Sequence, residues 1–290
     1  MRIGAHMSVS GGKQLAFERA KELRCETFQI FVRNVRGWTS GPLKQEEIDE
    51  FLTKKNELKN KIWPVISHNS YLVNLASIDK EKLENSYNAM VDELTKVEQL
   101  AIQYENMHPG VIPISDKKEI TKNEALLKIA TQLNKLMDDT KDSKVIILLE
   151  TTAGQGKGLG NKFHHFRTII DNIKKKDRIG ICFDTAHSYA AGYDFTTKKK
   201  YNEMWDEFED IIGLKFLHAF HINDTDKDCG SRVDRHTHIG QGKIGKEPFG
   251  YFINDERFEE MPSIIETPKG KDNQLDIMNI QTLKSLRNKK

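Results

Sequence analysis

The sequence predicts an α/β fold, a single (β/α)8 (TIM) barrel spanning residues 1–290 as one domain. Three observations lead there. Short β-rich runs alternate with longer stretches of helical period eight times over. Most of these runs are nearly continuous apolar, as strands buried on both faces of a parallel sheet are. No composition break or Pro/Gly/Ser linker divides the chain, and one α/β barrel commonly reaches this length. An open doubly wound sheet is the alternative that the same alternation allows.

The expected strands, in order, cover 2–7 (RIGAHM), 27–33 (TFQIFVR), 62–68 (IWPVISH), 103–108 (QYENMH), 144–150 (KVIILLE), 178–184 (RIGICFD), 216–222 (FLHAFHI) and 263–267 (SIIET). Glu105 and Asn106 dilute the fourth, and Pro64 is tolerable only near the start of the third. Between the strands the apolar residues take a helical period. Over 79–101, Leu83, Tyr87, Met90, Val91, Leu94, Val97 and Leu100 recur at three and four, with Asp79 as the expected N-cap. A last helix at about 273–287 closes the outer ring and leaves Asn288, Lys289 and Lys290 to fray.

Hydrophobic residues make up 37% of the chain and charged residues 30%, the composition of a globular protein with a heavily charged surface, expected to stay in solution as a monomer. No run approaches the about 18 apolar residues of a membrane span. The N-terminus, MRIGAHMSVSGG, lacks a signal-peptide core, so an intracellular location and no membrane partner are expected. Cys25, Cys182 and Cys229 are too few and too widely spaced for a disulfide framework or a Cys-rich zinc site. Any metal is therefore held by His and carboxylates. The net charge of +2 gives no global support to a polyanion partner, which would have to be recognised by locally placed groups.

In a (β/α)8 barrel the C-terminal strand ends converge on one mouth, where function resides. The third strand ends in His68, the fourth in His108, the fifth in Glu150, the sixth in Asp184, the seventh in His221, and Glu266 lies at the end of the eighth. One His or Asp after an apolar run is ordinarily the first polar residue of a loop. Six consecutive strands ending in metal-ligand types are not explained by packing. His187 stands three residues after Asp184, about one helical turn away. Asp234 and His236 are two apart in the long connection after the seventh strand, a spacing that points both side chains the same way on an extended segment. The set amounts to nine donors, too many for one catalytic zinc and suited to two or three ions. Imidazole-rich, thiolate-free ligation favours Zn2+, while Mn or Fe could occupy some positions.

These motifs resemble the endonuclease IV family of apurinic/apyrimidinic (AP) endonucleases. The resemblance runs along the whole chain: GAHMSVSGG at 4–12, FVRNVRGW at 31–38, HNSYLVNL at 68–75, HPG at 108, ETTAGQG at 150–156, CFDTAHSYAAGYD at 182–194, HINDT at 221, GSRVDRHTHIGQGKIG at 230–245 and ET at 266. The resemblance implies three Zn2+ ions. His68, His108 and Glu150 would hold the first, Glu150, Asp184, His221 and Glu266 the second, and His187, Asp234 and His236 the third. Glu150 would bridge the first two, and Glu150 and Glu266 would be the catalytic carboxylates. Ala186, where the family often has Cys, departs from the pattern at a position that is not a ligand.

The implied activity is hydrolysis of the phosphodiester 5′ to an abasic site in double-stranded DNA, leaving a 3′-hydroxyl and a 5′-deoxyribose phosphate. This is a step of base excision repair, and the family likeness adds 3′-end repair. Arg36, Tyr71 and Leu72 resemble the family's wedge into the duplex, and Arg33, Arg232, Arg235 and Lys243 are mouth-side groups suited to phosphates. Trp38 shares that side, whereas Lys174, Lys175 and Lys176 precede the sixth strand and form a solvated face at the opposite end. His6, His164, His165, His218 and His238 are expected to be surface or supporting groups. Sugar isomerases and epimerases also carry a metal at a barrel mouth, but a small-sugar pocket does not require His187, Asp234 and His236 or the Arg36 and Tyr71 loops. A structural zinc in a DNA-binding protein would be closed and Cys-rich.

Overall fold

Each apolar run becomes a parallel strand because it can bury both faces, one into the barrel and one under a helix. The computed structural model describes residues 1–113 and 120–288, and the expected fraying of Lys289 and Lys290 falls outside the described residues. Strands β1 (Arg2–His6), β2 (Thr27–Ile30), β3 (Val65–His68), β4 (Tyr104–Met107), β5 (Ile146–Glu150), β6 (Ile179–Asp184), β7 (Leu217–His221) and β8 (Pro262–Ile265) pair in chain order. The sheet closes, with β8 parallel to β1, so the open-sheet alternative is excluded.

Helices α1 (Leu15–Glu22), α2 (Gln45–Leu58), α3 (Lys80–Gln99), α4 (Lys122–Asp139), α5 (Phe163–Asp171), α6 (Thr185–Ala190), α7 (Lys198–Ile211), α8 (Lys246–Ile253) and α9 (Gln274–Ser285) follow the strands. In α3 the predicted stripe holds: Tyr87, Met90, Leu94 and Val97 are buried, and the Asp79 carboxylate caps the helix by accepting from the Lys82 amide at 2.9 Å. No helix among the described residues is long and apolar enough to cross a membrane.

Several strands are shorter than their apolar runs. β2 ends at Ile30, because Phe31–Arg33 turn out of the sheet, and β3 starts only after Pro64, which has no amide to donate to a ladder. β4, the diluted one, forms as expected: Asn106 points inward, and Glu105 is wholly buried between strand and helices.

The two-residue period of a strand sets the site. Ile66, Tyr104, Leu148, Cys182, Ala219 and Ile264 pack together as an apolar plug inside the barrel. The next inward position on five of those strands carries His68, Glu150, Asp184, His221 and Glu266, and on β4 Asn106 and then His108. The plug is therefore the floor on which these polar groups stand.

Candidate metal centre

The inward parity of β3 to β8 brings the strand-end residues within a few ångströms of one another. Glu150 is at the middle, fully buried. Its Oε2 lies 3.3 Å from His68 Nε2, and its Oε1 lies 3.5 Å from His108 Nε2 and 3.2 Å from His221 Nδ1. Glu266 Oε2 is 3.1 Å from His221 Nδ1.

Asp184 caps α6 by accepting from the His187 amide at 2.7 Å, which fixes that His one turn above the strand tip. His187 Nε2 is 3.1 Å from Asp234 Oδ1, and His236 Nε2 is 3.9 Å from the same atom. Donor atoms of three groups lie within 4.8 Å of one another: His68, His108 and Glu150; Glu150, Asp184, His221 and Glu266; and Asp184, His187 and His236. The third group contains Asp184 where the sequence suggests Asp234, and Asp234 stands beside the same two imidazoles.

The orientation of the imidazoles tests whether a cation fits. His68 Nδ1 is 2.8 Å from the Asn69 carbonyl, His187 Nδ1 2.9 Å from the Thr151 carbonyl, and His236 Nδ1 3.4 Å from the Glu266 carbonyl. His221 is turned the other way, with Nε2 2.9 Å from Gln29 Oε1. Each of these oxygens can only accept, so the nitrogen facing it carries a proton and the opposite nitrogen is the one aimed at the centre, where a cation would take the place of any proton it holds. Those inward nitrogens on His187, His221 and His236, together with Glu150 Oε1, are buried and make no well-aligned hydrogen bond, although carboxylate oxygens stand 3.1 Å from His187 and His221. Buried polar atoms are rarely left so, and divalent cations held by these groups would satisfy them.

The charge balance points the same way. Glu150, Asp184, Asp234 and Glu266 bring four carboxylates to the site, and among the described residues their ion-pair partners are all imidazoles. Burial alone would raise the Glu150 carboxyl, but His221, His108 and His187 hold it well below the ordinary range. Asp234, likewise opposed by burial, is held at about 2 by His187 and His236. Burial would depress His187, yet Asp184, Asp234 and Glu150 raise it well above the usual imidazole range. Such a site draws in positive charge.

Four supporting residues were not singled out from the sequence. Gln29 donates from Nε2 to Glu266 Oε1 at 2.7 Å, with His6 Nδ1 at 3.1 Å from the same nitrogen. Asn106 donates to Glu150 Oε2 at 2.6 Å. Asn223 donates to Asp184 Oδ2 at 2.8 Å and accepts from the Glu266 amide at 2.7 Å. The fourth, Thr151, supplies the carbonyl that orients His187. A buried amide at an inward position of an otherwise apolar strand, Gln29 in TFQI or Asn106 in YENM, is the signal that marks two of them.

Around the mouth, Tyr71 is 64% exposed although its ring stands only 5.5 Å from that of His68. Leu72 is exposed next to it, and Arg36 is exposed on the neighbouring loop, tied to the first by Ser70 Oγ donating to the Val35 carbonyl at 2.8 Å. Arg232 and Arg235 are exposed on the connection after β7. A cavity of about 280 Å3 opens between these loops, lined by His68, Tyr71, Leu72, His108, Val111 and Asp234 among others.

One expectation fails and another is narrowed. Arg33 is buried and its guanidinium is committed to Asp92 at 2.7 Å, Glu93 at 3.6 Å and the Trp38 carbonyl at 2.9 Å, so it pins the loop and is not free for phosphate. His165, expected on the surface or in a supporting role, is not on the surface: it is buried, burial pushes it down to about 4, and its neutral Nδ1 accepts from the Gly160 amide at 3.2 Å.

A family model described as a xylose isomerase-like TIM barrel matches residues 17–286. A protein named "Probable endonuclease 4" from Chloroflexus aggregans (strain MD-66 / DSM 9485) is 43% identical over 285 residues, covering 98% of this chain and 97% of that one. The apurinic-apyrimidinic endonuclease of Caenorhabditis elegans is 40% identical over 269 residues, 93% of this chain and 66% of that one. The crystal structure of endonuclease IV from Thermus thermophilus superposes with a TM-score of 0.85 at 29% identity, covering 99% of this chain and 98% of that one. With a closed eight-stranded barrel and relatives of this similarity along nearly its whole length, the chain belongs to the endonuclease IV family of AP endonucleases.

Proposed function

We propose that the protein is a zinc-dependent phosphodiesterase of base excision repair that acts, as one catalytic unit and as a monomer, on double-stranded DNA containing abasic sites. It hydrolyses the phosphodiester 5′ to the lesion, leaves a 3′-hydroxyl and a 5′-deoxyribose phosphate, and also trims damaged 3′ ends. The observation that carries this reading is the outward tethering of one ring nitrogen on His68, His187, His221 and His236, which leaves the other to face four carboxylates. His68, His108, Glu150, Asp184, His187, His221, Asp234, His236 and Glu266 are the proposed ligands of three ions.

Bound divalent cations supply the positive charge that a phosphodiester needs at its non-bridging and departing oxygens, and ease deprotonation of the attacking water. The protein's own groups do the rest. Glu150 can reach two ions because its oxygens face different imidazoles. Glu266 stays ionised, since His221 holds its carboxyl well below the ordinary range against the effect of burial. Gln29 fixes its Oε1, which leaves Oε2 to orient the nucleophile. Tyr71 and Leu72 protrude far enough to fill the gap of a missing base, with Arg36 beside them, while Arg232 and Arg235 reach the phosphates.

The test is incubation with an oligonucleotide duplex containing a single tetrahydrofuran abasic analogue. One nick 5′ to the analogue, with a 3′ end that a polymerase extends, is expected, and an uncut duplex in the presence of zinc overturns the proposal.

A further inference from the structure

The connection after β7 carries Asp234, Arg235 and His236, and one buried carboxylate gathers the end of that connection. Asp224 is fully buried. Its Oδ1 accepts from the amides of Thr225 at 2.8 Å and Ile244 at 3.1 Å, and its Oδ2 from those of Gly240 at 2.9 Å and Gly242 at 3.0 Å. Four donors occupy the sites an ionised carboxylate offers and so oppose burial, which pushes the carboxyl up. The Asp224 main chain adds a bond, accepting from the Thr237 amide at 2.8 Å, directly next to His236.

Segment 240–244 lies so close that a side chain on Gly242 would collide with the Thr225 carbonyl and the Asp224 carboxylate. Asn279 holds the adjoining residues by accepting from the Ile239 amide at 2.9 Å. At the near end the connection is tied by Gly230 to the Tyr189 carbonyl at 3.1 Å and by Arg232 to the Ala190 carbonyl at 2.8 Å. Between these moorings Asp234 and His236 meet His187, which belongs to a different strand-loop unit.

We infer that Asp224 is a positioning residue that latches the 230–245 connection over the barrel and so builds the Asp234 and His236 half of the third ion site. This rests on the metal-centre reading proposed above. The Asp224 carboxylate accepts from main-chain amides, so it acts through the main chain. Asparagine in its place has one acceptor oxygen and a donor group that would face amides, so at least two of the four N–H groups lose their partner.

The experiment compares wild type with Asp224→Asn, using zinc alone in a graded series of zinc-chelator buffers and reading metal equivalents per chain, with far-UV circular dichroism as the check on folding. In the variant one equivalent is expected to bind about 10–100-fold more weakly while the others keep their affinity. The kcat on the tetrahydrofuran duplex should fall with KM little changed, and excess zinc should restore it. Should Asp224→Asn not fold, Gly242→Ala strains the same latch from the loop side and is read in the same way. An Asp224→Asn protein with every equivalent at wild-type affinity overturns the latch alone, whereas a wild type that takes up no zinc overturns the metal centre and the latch with it.

Discussion

Replacing Gln29 with Leu tests how far the barrel wall determines the properties of the metal centre. Gln29 is completely buried, and its amide joins two proposed ligands, accepting from His221 Nε2 at 2.9 Å and donating to Glu266 Oε1 at 2.7 Å. Leu fills the same space apart from the amide head and satisfies neither. A buried polar group stripped of its partner costs about 1–3 kcal/mol. Loss of a group that orients a metal ligand typically costs 10–100-fold in affinity, or about 1.4–2.7 kcal/mol.

The two ranges agree, so Gln29→Leu is expected to weaken zinc binding at the Glu150, Asp184, His221 and Glu266 set by one to two orders of magnitude. It should leave the set of His68, His108 and Glu150 less affected. Competition against a calibrated chelator measures this, with single-turnover nicking of the tetrahydrofuran duplex on the same samples. Binding within twofold of wild type, with an unchanged nicking rate, would refute the assignment of Gln29 as the group that orients His221 and Glu266.

Glu266→Gln should lose turnover by orders of magnitude while binding abasic duplex as tightly as wild type, as read by gel shift; equal loss of binding would make Glu266 a structural residue. Tyr71→Ala or Arg36→Ala should reduce the preference for abasic over intact duplex, and an unaltered ratio counts against the wedge. Burial, reinforced by Glu93, holds the Glu105 carboxyl well above its ordinary range, so the unfolded chain gives up this proton first. Its contribution to stability is therefore present at acid pH and is lost as pH rises through and beyond the usual carboxyl range, at up to about 1.4 kcal/mol per pH unit until the folded value is passed. Glu105→Gln should gain on wild type in urea melts as pH rises above the usual carboxyl range, and an offset that stays constant would contradict this.

The alternation of apolar runs and helical stripes was enough to read the closed barrel, because a parallel strand buried on both faces has few other sequences open to it. The strand-end donors were legible for a related reason: the inward parity beyond an apolar plug admits polar groups only at the mouth, and six strands supply ligand types there. Arg33 was misread because a basic residue after a strand looks the same in sequence whether it reaches for phosphate or for Asp92 and Glu93 on a helix more than fifty residues away. Asn223 stayed hidden since its value lies in two hydrogen bonds to residues far apart in the chain, Asp184 and Glu266. Asp224 follows His221 in HINDT, yet nothing in that string announces four amides arriving from 225–244.

Anomalous scattering at the zinc edge from crystals grown in saturating zinc addresses the central claim most directly. Peaks should appear among His68, His108 and Glu150, among Glu150, Asp184, His221 and Glu266, and beside His187, Asp234 and His236, with Glu150 shared by the first two. A barrel mouth without anomalous density under those conditions would contradict the account.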